Sequence, residues 1–336
     1  MSLKSYVVSR ILLTIPMVFL LLTLVFFIIR VMPGDPALLH FERHVSPEVL
    51  AEFRRRLGLD LPIWQQYVNY ILDLLRGDFG ISMQDYTPIR THLIARFPAT
   101  LELSIFSGFF AIAFGLILGV ISARKYNSPT DHSIRLLAIV TYAIPVFFLG
   151  MIFQIIFAVW LRILPSGLRF DPHYSPPATI TGLYTIDSIL TGNIWALGIA
   201  IRYLILPSVT LGIILLGVFI RLTRTNMLET QNSDYVTSAE ARGLSNFTIT
   251  YRYSLKNAFL PILTMIGLQV AILLAGAVLT ETTFSWPGLG TYLVDRIYHR
   301  DYTAIQGTVV FFAIMVALVT LIVDILYAYL DPRIRL

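Results

Sequence analysis

Cysteine is absent from the 336 residues, which excludes disulfides, thiolate metal ligands and a cysteine nucleophile. Charge is scarce: Asp, Glu, Lys and Arg make up 13% of the chain, against about a quarter in ordinary soluble domains. No G-x-x-x-x-G-K-[ST] phosphate loop is present, nor an H-E-x-x-H metal helix or a G-x-S-x-G nucleophile elbow. The six histidines, His40, His44, His92, His132, His173 and His299, are scattered without metal-ligand spacing. The chain is therefore expected to hold no catalytic residue, no metal and no cofactor of its own.

What the sequence does have is apolar length. Hydrophobic residues make up 56%, and the mean hydropathy is +0.74. A soluble fold of this size could not cover that much apolar surface. Six runs have the length of a bilayer-spanning helix, about 20 residues. They cover about Ile11–Val31, Leu101–Ser122, Ser133–Leu161, Tyr203–Ile220, Phe259–Leu279 and Ala304–Tyr329. The third is long enough to be tilted, with a kink expected at Pro145. The fold class read from these runs is an all-α integral membrane protein with six transmembrane helices.

Orientation follows from Lys and Arg in the short loops. With the N-terminus inside, Lys4, Arg10, Arg124, Lys125, Arg135, Arg221, Arg224, Arg242, Arg252, Lys256, Arg333 and Arg335 fall on the inner side. Arg162, Arg169, Arg202, Arg296 and Arg300 fall on the outer side. Both termini are thus expected in the cytoplasm. Span centres carry almost no charge: Arg30, Glu102 and Glu281 sit near outer ends and Asp324 near the inner end of the sixth run. That scarcity argues against a proton-coupled carrier, whose relays need intramembrane ionisable groups. Gln154 and Gln269 are the more central polar side chains. They suit either interhelical hydrogen bonds or the lining of a path for a polar solute.

The chain divides into residues 1–31 (N-terminus and first span), an outer insertion over 32–98, and a core over 99–336 with the other five spans. The insertion carries two amphipathic helices. Ser46-Pro47-Glu48 reads as an N-cap, a first-turn proline and an acidic first turn. Val49, Leu50, Phe53 and Leu57 follow at helical spacing up to Gly58. A second helix starts at Pro62, with Ile63, Tyr67, Ile71, Leu74 and Leu75 as its apolar stripe and Gly77 closing it. Such helices need a surface, which could be the outer leaflet, the bundle or a partner protein. A short apolar stretch near Ile194–Ile201 is expected to lie at the interface before the fourth span.

The loop over about 225–258 is the most informative segment. It contains Asp234-Tyr235-Val236-Thr237-Ser238-Ala239-Glu240-Ala241-Arg242-Gly243-Leu244-Ser245. A helix of small residues is expected to stop at Gly243 in a left-handed cap. Ser245 then caps a second helix that enters the membrane near Pro261. A short helix with small side chains can dock closely into a groove, with Arg242, Arg252 and Lys256 facing an acidic rim. The alternative is an ordinary positive-inside loop.

Ala239-Glu240-Ala241-Arg242-Gly243-Leu244-Ser245, with Pro261 beyond it, resembles the cytoplasmic loop of ABC importer permeases. More narrowly, the chain resembles the first permease subunit of dipeptide, oligopeptide and nickel importers. Further matching stretches are Met32-Pro33-Gly34-Asp35-Pro36, Leu57-Gly58-Leu59-Asp60-Leu61-Pro62, Leu75-Arg76-Gly77-Asp78-Phe79-Gly80 and Arg300-Asp301-Tyr302. Glu281-Thr282-Thr283-Phe284-Ser285-Trp286-Pro287-Gly288-Leu289-Gly290 and Asp331-Pro332-Arg333-Ile334-Arg335 complete them. Thr237 stands where the general importer loop has Glu, six residues before the glycine, as fits the peptide-type branch.

The resemblance implies a type I permease fold in the cell membrane of a bacterium or archaeon. It implies a homologous second permease, two cytoplasmic ATPases that carry ATP and magnesium, and an outer solute-binding protein. Transport would proceed by alternating access. Thr237, Ser238, Ala239, Glu240, Ala241, Arg242, Gly243, Leu244 and Ser245 are the candidate ATPase-docking residues. Phe284, Ser285, Trp286, Pro287 and Gly288 are the candidate outer gate, a rigid re-entrant turn being the alternative. Peptides are the expected solute, with oligosaccharides or nickel chelates as alternatives. A stand-alone channel or secondary carrier is the rival class.

Overall fold

The computed structural model describes residues 3–31, 46–56 and 58–330. The stretches Met32-Pro33-Gly34-Asp35-Pro36 and Asp331-Pro332-Arg333-Ile334-Arg335, together with Leu57, His40 and His44, lie outside the described residues. The described chain is helical, with no strand beyond an isolated bridge between Ile81 and Pro88. In order the helices are α1 (Leu3–Val31), α2 (Pro47–Arg56), α3 (Ile63–Leu75), α4 (Ile89–Arg124), α5 (Pro129–Ala143), α6 (Val146–Phe153), α7 (Tyr184–Leu190), α8 (Ile194–Gln231), α9 (Asp234–Ala241), α10 (Leu255–Thr283), α11 (Leu289–Tyr298) and α12 (Tyr302–Leu330). α6 continues as a π-helical stretch, Gln154–Trp160, and a second one, Ile249–Ser254, leads into α10.

Among the described residues, four helices are long and apolar enough to cross a bilayer: Ser5–Arg30 within α1, α4, α8, and Tyr302–Ile325 within α12. The α5–α6 pair passes the same test but bends by 106°. The break falls at Pro145, where a kink was expected, but it is a sharp bend rather than a mild kink in one tilted helix. Pro145 has no N–H to give and forces its predecessor out of helical geometry. Ile144 is accordingly extended, with φ −83° and ψ 127°, and α6 restarts behind the proline. The stretch 194–201 is likewise no separate interfacial piece. It is the first two turns of α8, which runs for 38 residues through Pro207. α4 also crosses the proposed insertion boundary at residue 98, beginning nine residues earlier, with Pro98 inside it.

α4 and α8 form the centre. Leu103, Ala111, Leu211, Leu215, Phe219, Leu273 and Trp286 are buried together between α4, α8 and α10. Gly115 and Gly119, one turn apart on α4, let the backbones meet: a Cβ at either would fall on Phe219 or Thr223 of α8. In a bilayer, where apolar side chains gain nothing by leaving lipid, such close contact is what holds helices together.

The insertion helices form as expected. The Val49 N–H donates to Ser46 Oγ at 3.4 Å. Gly58 and Gly77 take the left-handed φ of +64° and +75° that end each helix. α3 is seated on α1 through its tyrosines. The Tyr67 hydroxyl meets Thr23 Oγ1 at 2.7 Å, and Tyr70 packs on Phe26 with ring centroids 5.3 Å apart.

Candidate functional site

The two candidate regions lie at opposite ends of the bundle. At one end, α9 lies between α8 and α10 and makes an elbow. Gly243 has φ +73°, and its N–H donates to the Glu240 carbonyl at 2.8 Å. The Leu244 N–H donates to the Ala239 carbonyl at 3.2 Å. These are the two paired bonds of a left-handed C-cap. Ser245 Oγ then accepts from the Thr248 N–H at 3.3 Å, opening the next helix. Val236, Ala239 and Ile249 are buried against Leu244 and Tyr253.

That small cluster faces the bundle, and the other candidate residues face out. Thr237, Ser238, Glu240, Ala241, Arg242, Gly243 and Ser245 are exposed, and Leu244 is half-buried. A Cβ at Gly243 would meet nothing within 4 Å. The elbow therefore presents a small, smooth helix whose turn is set by backbone geometry alone. Sequence reasoning missed its neighbours Phe247 and Tyr251, both exposed with ring centroids 4.6 Å apart. The available signal was an aromatic pair four residues apart in an otherwise polar loop. Behind the elbow, Arg224 of α8 clamps Asp131 of α5 with two bonds of 2.8 Å, and Ser122 donates to the same carboxylate.

At the far end, the chain leaves α10 and turns back through residues 284–288 into α11. Glu281 is fully buried and accepts from Thr100 Oγ1 at 2.6 Å, the Gly290 N–H at 2.6 Å and the Thr291 N–H at 3.1 Å. Thr100 accepts in turn from the Leu289 N–H at 2.8 Å. The Trp286 indole donates to the Ala99 carbonyl at 2.9 Å. A Cβ at Gly288 would fall on the Glu281 carboxylate. Of the candidate gate residues, Phe284, Trp286 and Gly288 are thus buried in this knot, while Ser285 and Pro287 are exposed. Ser285 opens on a shallow cavity of about 480 Å³ shared with Gln154, Ser166, Asp171, His173 and Tyr203.

Gln154 and Gln269 do not share a site. Gln154 donates to the Ser166 and Thr283 carbonyls at 2.6 and 2.9 Å, pinning the following loop to the end of α10. Gln269 is buried fourteen residues before Thr283, about 21 Å along the helix, and its Oε1 has no partner among the described residues. Two further clamps close the far end. Arg169 holds Glu102 at 2.6 Å, both buried, while Thr185 donates to the other oxygen at 2.8 Å. Arg296 bridges Gln84 at 2.6 Å and Asp85 at 2.9 Å. Nothing in their sequence spacing paired these residues, which are 67 and about 210 positions apart. No group of three or more His, Asp or Glu suited to a metal occurs among the described residues.

Comparison with known proteins covers the whole chain. Residues 115–336 match the model of the binding-protein-dependent transport system inner membrane component. Residues 3–104 match the N-terminal model of such membrane components. A dipeptide transport system permease protein of Alkalihalophilus pseudofirmus is 41% identical, over 98% of this chain and 99% of that one. A di/tripeptide transport system permease protein of Pseudomonas aeruginosa is 43% identical over 98% of each. A glutathione transport system permease protein of Escherichia coli is 35% identical over 98% of this chain and 99% of that one.

Proposed function

Because the chain belongs to the family of binding-protein-dependent transport system inner membrane components, we propose that it forms half of the membrane path of an ATP-driven peptide importer. The observation that carries this reading is the elbow. It exposes Thr237, Ser238, Ala241 and Arg242 on a face of α9 that no described residue covers, at the end of the bundle opposite the knot. Peptides are favoured as solute because full-length relatives are named for dipeptide, di/tripeptide and glutathione transport.

In this reading the six spans are α1, α4, the broken α5–α6 pair, α8, α10 and α12. The elbow and both termini face the cytoplasm. Two ATPases dock on this elbow and on that of a homologous second permease, supply all ATP and magnesium chemistry, and push the elbows as they close. A solute-binding protein delivers the peptide at the far end. There Ser285 and Gln154, both on the shallow cavity, are the path-facing residues, and the buried Phe284, Trp286 and Gly288 hold the gate rigid. Binding proteins that prefer the outward state also favour closed ATPases, since coupling is reciprocal.

The test is tagged purification from native membranes in mild detergent, with mass spectrometry of what co-elutes and labelled dipeptide uptake before and after deletion of the gene. A second permease-like chain, ATPases and loss of uptake are expected. A folded chain that elutes alone, from cells whose dipeptide uptake survives the deletion, overturns the reading.

A further inference from the structure

We propose that α3 is embedded in lipid, with Trp64, Val68, Leu72 and Leu75 lying among the acyl chains of the leaflet at the Arg30 end of α1. Three independent observations carry this. They rest on membrane residence alone and not on what the chain transports.

The first is the division of the helix surface. Trp64, Val68, Leu72 and Leu75 recur at intervals of four, four and three, so they share one face. All four are exposed, at 68%, 46%, 45% and 79%. Gln66, Asn69 and Asp73 lie on another arc of the helix and line an open cavity with Arg30 and Gln306, Gln66 half-buried and Asn69 and Asp73 exposed at its mouth. Tyr67 and Tyr70, on the flank between, rest on α1. The polar arc therefore borders a cavity formed with the rest of the chain, while a separate arc that is wholly apolar turns out, which a helix facing water does not show.

The second is depth. α1 carries no charge between Arg10 and Arg30. Twenty residues at 1.5 Å each span ~30 Å, the thickness of the hydrocarbon layer. Tyr67 touches Thr23, seven residues below Arg30 or ~10 Å in, and its ring lies 6.4 Å from that of Phe19, deeper still. The middle of α3 therefore sits within the hydrocarbon slab rather than above it. A water-soluble partner could not reach a face at that level.

The third is continuity. Phe27 belongs to the exposed stripe of α1 with Leu20, Leu24 and Ile28. It also stacks on Tyr67, with ring planes 23° apart. The lipid-facing surface of α1 thus runs without a polar seam onto α3, and Trp64 has the amphipathic ring that favours the interfacial region.

The missing cysteines make the test direct. Single cysteines replace Trp64, Val68, Leu72 and Leu75, with Gln66→Cys, half-buried on the cavity side, as the control. Each is labelled with a nitroxide and reconstituted in phospholipid vesicles as the full assembly. Power saturation then compares collision with oxygen, which concentrates in hydrocarbon, and with a water-soluble nickel chelate. The expected result is oxygen access several-fold above nickel access at all four stripe positions, with mobile spectra, and not at Gln66. Nickel access equal to that of a loop site overturns the proposal, because α3 is then in water. Immobile labels shielded from both reagents also overturn it, because a second protein chain then covers the stripe. Without any cysteine, lipids brominated on their acyl chains should quench wild-type tryptophan fluorescence more than that of Trp64→Phe. Equal quenching counts against lipid contact.

Discussion

At the far end, the turn that follows α10 is tied by side chains: Glu281, Thr100 and Trp286 between them make five side-chain hydrogen bonds across three segments. At the elbow, the turn that follows α9 is tied by two backbone bonds and one serine cap. Both turns depend on a glycine, for different reasons. Gly288 has an ordinary φ of −97° but no room for a Cβ, because the Glu281 carboxylate stands there. Gly243 has open space around it but a φ of +73° that side chains oppose. A turn held by packing is rigid and its side chains are used up. A turn held by backbone alone keeps its shape and leaves its side chains free for another molecule.

The largest effect that separates the two ends is expected from Gly288→Ala. The methyl must displace a buried carboxylate that accepts three hydrogen bonds, leaving polar groups unpaired in the interior. We expect a loss of at least ~3 kcal/mol, read as aggregation in fluorescence-detected size-exclusion chromatography of the detergent extract. Gly243→Ala meets only the left-handed φ, a cost of ~1 kcal/mol, and should elute as wild type. Equal damage from the two substitutions would break the comparison.

Gly243→Val sharpens it on the functional side. A β-branched residue opposes the left-handed geometry most strongly, so the elbow should open while the bundle still inserts. Peptide uptake is expected to fall at least tenfold at normal expression. Asn tolerates that geometry, so Gly243→Asn should keep most of the uptake. Wild-type uptake by the Val variant sinks the elbow as a coupling device. An Asn variant as inactive as Val shows instead that a partner needs the space around Gly243.

How far the chain could be read in advance divides along the same line. Features set by neighbours in sequence were legible. Gly243 caps α9, Ser245 caps the next helix, and Ser46, Gly58 and Gly77 bound the insertion helices as their residue types require. The apolar runs mark the helices because hydrocarbon length is a local demand. Features set by partners far away in sequence were not legible. Glu281 looked like a charge near a span end, and only the fold brings Thr100 to it from 181 positions away. Arg169 and Glu102 read as separate charges of an outer loop and a span. Pro145 was visible, but a kink and a 106° break have the same sequence signal; whether the helix resumes in line depends on what packs around Ile144. Gln154 shows the limit most plainly, since a central glutamine suits a path and a tether equally, and only the fold shows its amide nitrogen on two carbonyls at the edge of the shallow cavity.

The smallest expected effect tests the far end by pH. Asp85, in the loop before α4, meets the buried Arg296 at 2.9 Å, with His92 3.2 Å from the same oxygen. Asp295 and Asp301 lie 3.7 Å from the Arg296 guanidinium. Burial pushes the Asp85 carboxyl up, but hydrogen bonds from Thr87 and Ser82 and the charge of Arg296 outweigh it and hold the group well below the usual carboxylate range. A depressed carboxyl contributes stability that is complete above its unfolded pKa, near 4, and is lost as pH falls from there toward the folded value. The Asp85 side chain is about a third exposed, so the contribution is screened by solvent and amounts to ~1 kcal/mol. The apparent melting temperature of the purified protein should therefore fall more steeply between pH 5 and pH 3 in wild type than in Asp85→Asn, by a few degrees, with the variant lower at pH 7. Parallel pH curves would place the stability of the far end in the Glu281 knot alone, with the Arg296 clamp contributing position rather than energy.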